Sequence, residues 1–240
     1  MGVSSKIQQQ IEGFSEGRTF GYAQLNVERQ EFMAAAKALE RMRLKGTIRR
    51  LSPGLFYKPV QSVFGELLPA EDQILHAYLF DKGKRIAYLT GTALYNQLGL
   101  TTQIPATMRI ASQQKRIAIS IGTIKAKAVK SYVAVTDENY QLLGLLDALK
   151  DFNAIPDLDK ASAIDILKNN MLDLKPEQTR LLIACALEYP PRVRSFLGAL
   201  LELTMPELDI SKLKNSLNPL SVFHFGLNDL IATAGHWKLK

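Results

Sequence analysis

One cysteine, three histidines and no acidic residue for fifty-five consecutive positions are the sharpest deficits of this chain of 240 residues. The lone Cys185 excludes an intramolecular disulfide and fits a reducing compartment. It sits in the apolar run LLIACALEY, where a thiol is more often buried filler than a nucleophile. His76, His224 and His236 are scattered, with no metal-ligand spacing and no cysteine pair beside them, so no metal is expected. The nucleophile-elbow, P-loop and dinucleotide glycine motifs are all missing, which argues against an enzyme and against a cofactor. Asp157 and Asp159 form a D-x-D pair of the kind nucleotidyltransferases use for metal, but no Gly-Ser signature precedes it and Pro156 puts it in a turn. The stretch between Arg85 and Arg109 is uncharged. It carries Asn96, Gln97, Gln103, Pro105 and several threonines, which excludes a membrane span. The first ten residues are polar, without the apolar core of a signal peptide, and Lys6 in MGVSSK stands where myristoylation wants Ser or Thr. A soluble, cytoplasmic protein without a membrane partner is expected.

What is present is positive charge in blocks. The formal net charge is +7. Residues 1–60 hold ten bases and five acids, and residues 61–81 hold four acids and no base. Residues 82–136 hold nine bases and no acid: Lys82, Lys84, Arg85, Arg109, Lys115, Arg116, Lys125, Lys127 and Lys130. Residues 137–240 hold eleven bases and fourteen acids. Two basic blocks ahead of a mildly acidic end point to a polyanion-facing front and a different task behind. Without a carboxylate the middle block cannot itself build a two-metal nuclease site. It faces DNA, RNA or solvent.

The run EFMAAAKALERMRLKGTIRRLSPGLFYKP, Glu31 to Pro59, combines an amphipathic helix, a glycine stop and a short hairpin. Before it, Ser4 is a possible cap of a first helix with Ile7, Ile11 and Phe14 on one face. Thr19 to Tyr22 reads as extended, Tyr22 to Leu25 as a short second helix, and Asn26 as the N-cap of the third. At about 100° per residue, Phe32, Ala35, Ala36, Leu39 and Met42 share one side of that third helix. Gln30, Ala34, Lys37, Arg41 and Lys45 share the other. Ser52-Pro53-Gly54 marks the hairpin turn, and Arg49, Arg50 and Lys58 decorate the hairpin. Ile48 and Leu51 fall on opposite faces of a regular strand, so a bulge or an early strand end is expected.

These residue types suit DNA. Lys37, Arg41 and Lys45 neutralise phosphates and release counterions. Gln30 reads a base edge, and Ala34 allows close approach to a thymine methyl. The hairpin arginines grip the flanking backbone. A plain solvated helix also carries lysines; bases on helix and hairpin alike favour the DNA reading.

Beyond Pro59 to Pro69, read as a linker, a second unit is expected from Ala70. It has a helix over Glu71 to Leu79, a helix capped by Thr90 and stopped by Gly99, and antiparallel strands between Arg109 and Val129 with Gly122 at a turn. After Thr136 it is helical, with Pro176 and Pro191 as first residues of helices. The fold class is α+β: residues 1–60 as a winged helix-turn-helix, residues 70–240 as a mixed α/β body that is mainly helical after about residue 136.

The runs GRTFGYAQL and AKALERMRLKGTIRRLSPGLFYKP resemble the winged-helix head of AbiEi-family antitoxins. GKRIAYLTGTALYNQLGLTTQIP resembles the segment that follows that head, and SLNPLSVF is similar to the tail of one branch. Phe20-Gly21 departs from the polar residue expected after the aromatic. The resemblance implies a bacterial antitoxin that binds its own operator as double-stranded DNA and represses its own operon. It also implies a functional partner, an AbiEii-like nucleotidyltransferase toxin, counteracted by the C-terminal body often without a stable complex. The family's helix and wing positions fall here on Lys37, Arg41, Arg49 and Arg50. The alternatives are a plain winged-helix regulator whose second domain senses a ligand or dimerises, and a nuclease using C-terminal carboxylates.

Overall fold

The computed structural model describes residues 2–63 and 65–240. Met1, and Phe64 in the expected linker, lie outside the described residues. The chain is α+β and forms two compact units, residues 1–85 with 120–124 and residues 86–119 with 125–240.

In the first unit, α1 (Val3–Glu12) is followed by β1 (Thr19–Gly21), 3-10 turns at Tyr22–Leu25 and Arg29–Glu31, and α2 (Phe32–Leu44). Then come β2 (Arg49–Ser52) and β3 (Leu55–Tyr57), which with β1 make an antiparallel sheet in the order β1-β3-β2. One core joins these elements: Ile7 and Ile11 of α1, Phe20, Leu25, Ala35, Leu39 and Met42, then Ile48 and Phe56. Gly46 ends α2 at φ +80° and Gly54 turns the hairpin at φ +78°, backbone that an L side chain resists. The expected irregularity is present, as the β2–β3 register shifts between Arg50 and Ser52.

Three local expectations change. Ser4 does not cap α1: Gly2 holds the N-cap position and its carbonyl accepts from the Ser5 and Lys6 N–H groups, both at 3.1 Å. Asn26 does not cap the third helix. It closes the preceding 3-10 turn in the left-handed region, φ 45°, and α2 begins six residues later, at Phe32. Phe32 is not core either. It is 45% exposed and lies on the Tyr22 ring, centroids 4.5 Å apart: it shares the apolar side of α2 but stands at the first position of the helix, where the stripe reaches the edge of the core.

The expected linker is instead a hairpin, β4 (Val60–Ser62) with β5 (Gly65–Leu67), Val60 opposite Leu67. After it come α3 (Glu71–Leu79) and the short pair β6 (Phe80–Asp81) and β7 (Lys84–Arg85). These belong to the first unit, so the division falls after Arg85 rather than near Pro69.

The second unit opens with β8 (Tyr88–Thr90) and α4 (Thr92–Gln97). The next strands are β9 (Met108–Ser112), β10 (Ile119–Ile121) and β11 (Ile124–Lys130), with sheet order β10-β11-β9-β8; residues 120–124, most of β10 and its turn into β11, group with the first unit. β8 pairs antiparallel with β9. β11 pairs parallel with β9, Lys127 opposite Arg109, where antiparallel pairing was expected: the chain reverses at Gly122 within the β10–β11 turn, so β11 returns in the direction of β9. Helices α5 (Tyr140–Asp151), α6 (Lys160–Leu172), α7 (Pro176–Ala186), α8 (Pro191–Thr204) and α9 (Ser211–Asn215) pack around Leu143, Leu146, Phe152, Phe196 and Leu200. Pro176 and Pro191 open α7 and α8 as expected. Among the described residues no helix is long and apolar enough to cross a membrane.

Candidate nucleic-acid interface

Helix α2 divides cleanly. Ala35, Ala38, Leu39 and Met42 are buried, while Ala34, Lys37, Arg41 and Lys45 are all exposed. The spacings of three and four put the exposed four on one stripe. The acid on the flank of that stripe is neutralised: Glu40 accepts from Arg43 at 2.7 and 2.9 Å, and these bonds hold its carboxyl below the usual range. Arg41 donates through Nη2 to Ser4 Oγ and through Nε to the Lys37 carbonyl, both at 3.3 Å, which holds the guanidinium over the helix surface. Gln30 lies in the 3-10 turn before the helix and donates to Glu28 at 2.9 Å. Met33, which the sequence left unassigned, is 70% exposed beside Ala34 and adds an apolar contact surface. At about 100° from Phe32 it flanks the side of the helix that carries Lys37 and Arg41, so the periodicity alone is the signal that could have found it.

The hairpin is less uniform than its composition. Arg50 is exposed, with Nε on the Ser52 carbonyl at 3.3 Å. Arg49 is gripped by Glu66 of β5 through two bonds at 2.7 and 2.5 Å, so its charge is balanced within the unit. Lys58 donates to the carbonyls of Glu12 and Phe14 at 3.1 and 2.9 Å, closing the C-terminal end of α1. Replacing Lys58 with methionine is therefore expected to lower stability by about 1.5–3 kcal/mol, the range for hydrogen bonds to a charged group. Urea unfolding reads that loss. If the unit binds DNA, Lys58→Met should leave the salt dependence of that binding as in wild type, and a flatter slope would count Lys58 among the groups that neutralise phosphate.

The nine bases of the middle block do not form one patch. Lys82, Lys84 and Arg85 sit on the β6–β7 hairpin of the first unit, with Arg85 over the Phe80 ring at 4.5 Å. The other six belong to the second unit. Arg109 and Lys127 are cross-strand partners, Lys125 precedes Lys127 by one pleat on the same face, and Arg109 Nη1 is 3.9 Å from Asp151. Lys115, Arg116 and Lys130 line a cavity with Ser112, Gln113, Gln114, Ala128 and Val129.

The second unit also holds a polar centre that charge counting missed. Asp147 of α5 is 2% exposed. Its carboxylate accepts from Tyr88 at 2.8 Å, Thr90 at 2.6 Å, Lys150 at 2.8 Å and Tyr189 at 3.3 Å. Thr90 therefore serves this carboxylate and not the N-cap of α4, which Gly91 occupies. Burial first, and Asp147 second, push the phenols of Tyr88 and Tyr189 up, so both remain donors. Four donors on one carboxylate make it a structural node, with no unshared base for catalysis.

The residues weighed as metal ligands are otherwise engaged. Asp159 caps α6 by accepting from the Ser162 N–H at 3.0 Å, and Asp157 accepts from Gln103 at 2.5 Å. His76 stacks on Phe80 and His236 meets Glu202 at 2.7 Å. No cluster of three or more metal-ligating side chains occurs among the described residues. Cys185 is buried, and burial pushes its thiol up.

No curated protein matches the chain. Among solved structures it is similar to the crystal structure of the Rv2827c protein from Mycobacterium tuberculosis, with a TM-score of 0.51 and 12% identity over 93% of this chain and 85% of that one. At that identity the likeness concerns the fold alone. A family of unknown function, DUF6088, matches residues 6–174, and the chain belongs to that family.

Proposed function

We propose that the first unit is a winged helix-turn-helix that binds duplex DNA, with α2 as the recognition helix and the β2–β3 hairpin as the wing. The observation that carries this is the exposed stripe of α2: Lys37, Arg41 and Lys45 around the small Ala34, flanked by an acid already neutralised. The element order supports it, with α1, the Tyr22–Leu25 turn, α2 and the hairpin around one core. Arg50 of the wing adds a further exposed base. Arg49 and Lys58, held by Glu66 and by the end of α1, drop out of the contact set.

We further propose that the chain is an antitoxin in the AbiEi manner. On this view the first unit represses the chain's own operon, and the second counteracts a nucleotidyltransferase-type toxin, acting in the cytoplasm and without chemistry of its own. Support for this part is the resemblance of Gly83–Pro105 and Ser216–Phe223 to that family. The test is a footprint on the DNA upstream of the chain's own gene. Wild type should protect repeats there, and Lys37→Ala/Arg41→Ala should lose the protection while unfolding at the same urea concentration. An upstream fragment bound no tighter than unrelated DNA of equal length would sink the operator assignment. Co-expression with the neighbouring reading frame tests the antitoxin part: if that product does not slow growth, or the full chain does not restore it, that part falls.

A further inference from the structure

In the second unit, three bases of the middle block, Lys115, Arg116 and Lys130, converge on one concavity. β9 and β11 run parallel, with Ala128 opposite Ile110 and Lys130 opposite Ser112, so both strands end on the same side. The chain leaves β9 through Gln113 to Arg116, and this loop closes, with Ala128, Val129 and Lys130, around a cavity of about 370 Å³. That size falls within the range of small-ligand sites. The space beyond the carboxyl ends of neighbouring parallel strands is where open sheets leave room for ligands.

The loop is held in shape. Buried Ser112 donates through Oγ to the Ile86 carbonyl at 2.7 Å and accepts from the Lys115 N–H at 3.3 Å. Gln113 donates to the Tyr132 carbonyl at 3.3 Å. The lining carries no carboxylate. Arg116 and Lys130 are exposed, and neither pairs with an acid among the described residues. A guanidinium fork and an ammonium facing one space favour an anion with several charged oxygens, which is the geometry of phosphate. Two glutamine amides and the aliphatic wall of Ala128 and Val129 suit an uncharged polar body attached to it.

We propose that this cavity binds the phosphate ester of a nucleotide, either free or at the 5′ end of a nucleic-acid strand. The site lies in the second unit and is independent of the operator contacts assigned to α2.

The experiment uses the full chain and calorimetric titration with adenosine 5′-monophosphate and with a single-stranded hexamer, with and without its 5′-phosphate. Arg116→Gln/Lys130→Gln should weaken binding at least fivefold. Lys82→Gln/Lys84→Gln, which removes equal charge from the first unit, should change it less than twofold. Both variants alter exposed side chains, so unchanged melting curves are expected; Arg116→Lys, which keeps the charge, should retain saturable binding if the double variant melts early. Tighter binding of the phosphorylated hexamer assigns a strand end, and tighter binding of the mononucleotide assigns a free ligand. The proposal is overturned by any of three results: no saturable binding of either probe at millimolar concentration, a loss below fivefold or one matched by the first-unit control, or equal binding of the hexamer with and without its phosphate when the mononucleotide does not bind. A parallel titration of operator DNA shows whether α2 binding stands or falls separately.

Discussion

Replacing Trp237 with alanine is expected to lower the unfolding free energy of the second unit by about 3–5 kcal/mol, the range for a large buried aromatic. Trp237 is 1% exposed. Its ring lies over Gly198 in the middle of α8, so closely that a Cβ at Gly198 would come within 2.1 Å of it. Ser195 of α8 donates to the Trp237 carbonyl, and the indole N–H donates to Glu202. The last residues are laced to the chain before them, Phe223 N–H to Lys238 and Lys240 N–H to Phe223, both at 2.8 Å. The C-terminal segment is thus one wall of the helical core. Gly198→Ala should destabilise by overpacking, about 1–3 kcal/mol or more because the contact is with a rigid ring. With Trp237→Ala already present the same change should cost far less, since the alanine then occupies emptied space. A double-mutant cycle in urea measures that coupling, and additive effects would mean that the ring does not rest on Gly198.

Asp147→Ala is expected to be comparably severe, about 3–5 kcal/mol, because several buried hydroxyl donors lose their acceptor at about 1–3 kcal/mol each, while Lys150 keeps Asp151 at 3.8 Å. The loss would leave Lys150 and the hydroxyls of Tyr88, Thr90 and Tyr189 without their shared acceptor. Tyr88→Phe removes one neutral donor while the other three remain, and should cost about 0.5–1.5 kcal/mol. Urea unfolding with near-ultraviolet circular dichroism follows both. An Asp147→Ala loss below that of Tyr88→Phe would show that the carboxylate does not organise the centre.

Local features were legible in the sequence, and long-range ones were not. The apolar stripe of α2, the stop at Gly46, the hairpin at Ser52-Pro53-Gly54 and the helices opening at Pro176 and Pro191 are each encoded within a few residues. The Asp147 centre draws Tyr88, Thr90 and Tyr189 from 42 to 59 positions away, and no periodicity announces it. Pro59 to Pro69 reads as a linker in the sequence, yet Val60 and Leu67 pair across a hairpin and Glu66 reaches back to Arg49. Charge counting found the basic blocks and could not sort them. Arg49 and Lys58 are spent inside the first unit, and the middle block is divided between the two units. The parallel return of β11 depends on where the chain reverses, which strand-like composition does not specify.

The most direct test of the account is the salt dependence of operator binding by Lys37→Ala/Arg41→Ala, set against wild type by fluorescence anisotropy. If each side chain neutralises one phosphate, the slope of log K against log salt should flatten by about 1.8. The unfolding midpoint should hold, since both side chains are exposed on α2. A flattened slope with an intact fold identifies the α2 stripe as the DNA-binding face. An unchanged slope in the folded variant would contradict it and remove the basis for operator recognition by this helix.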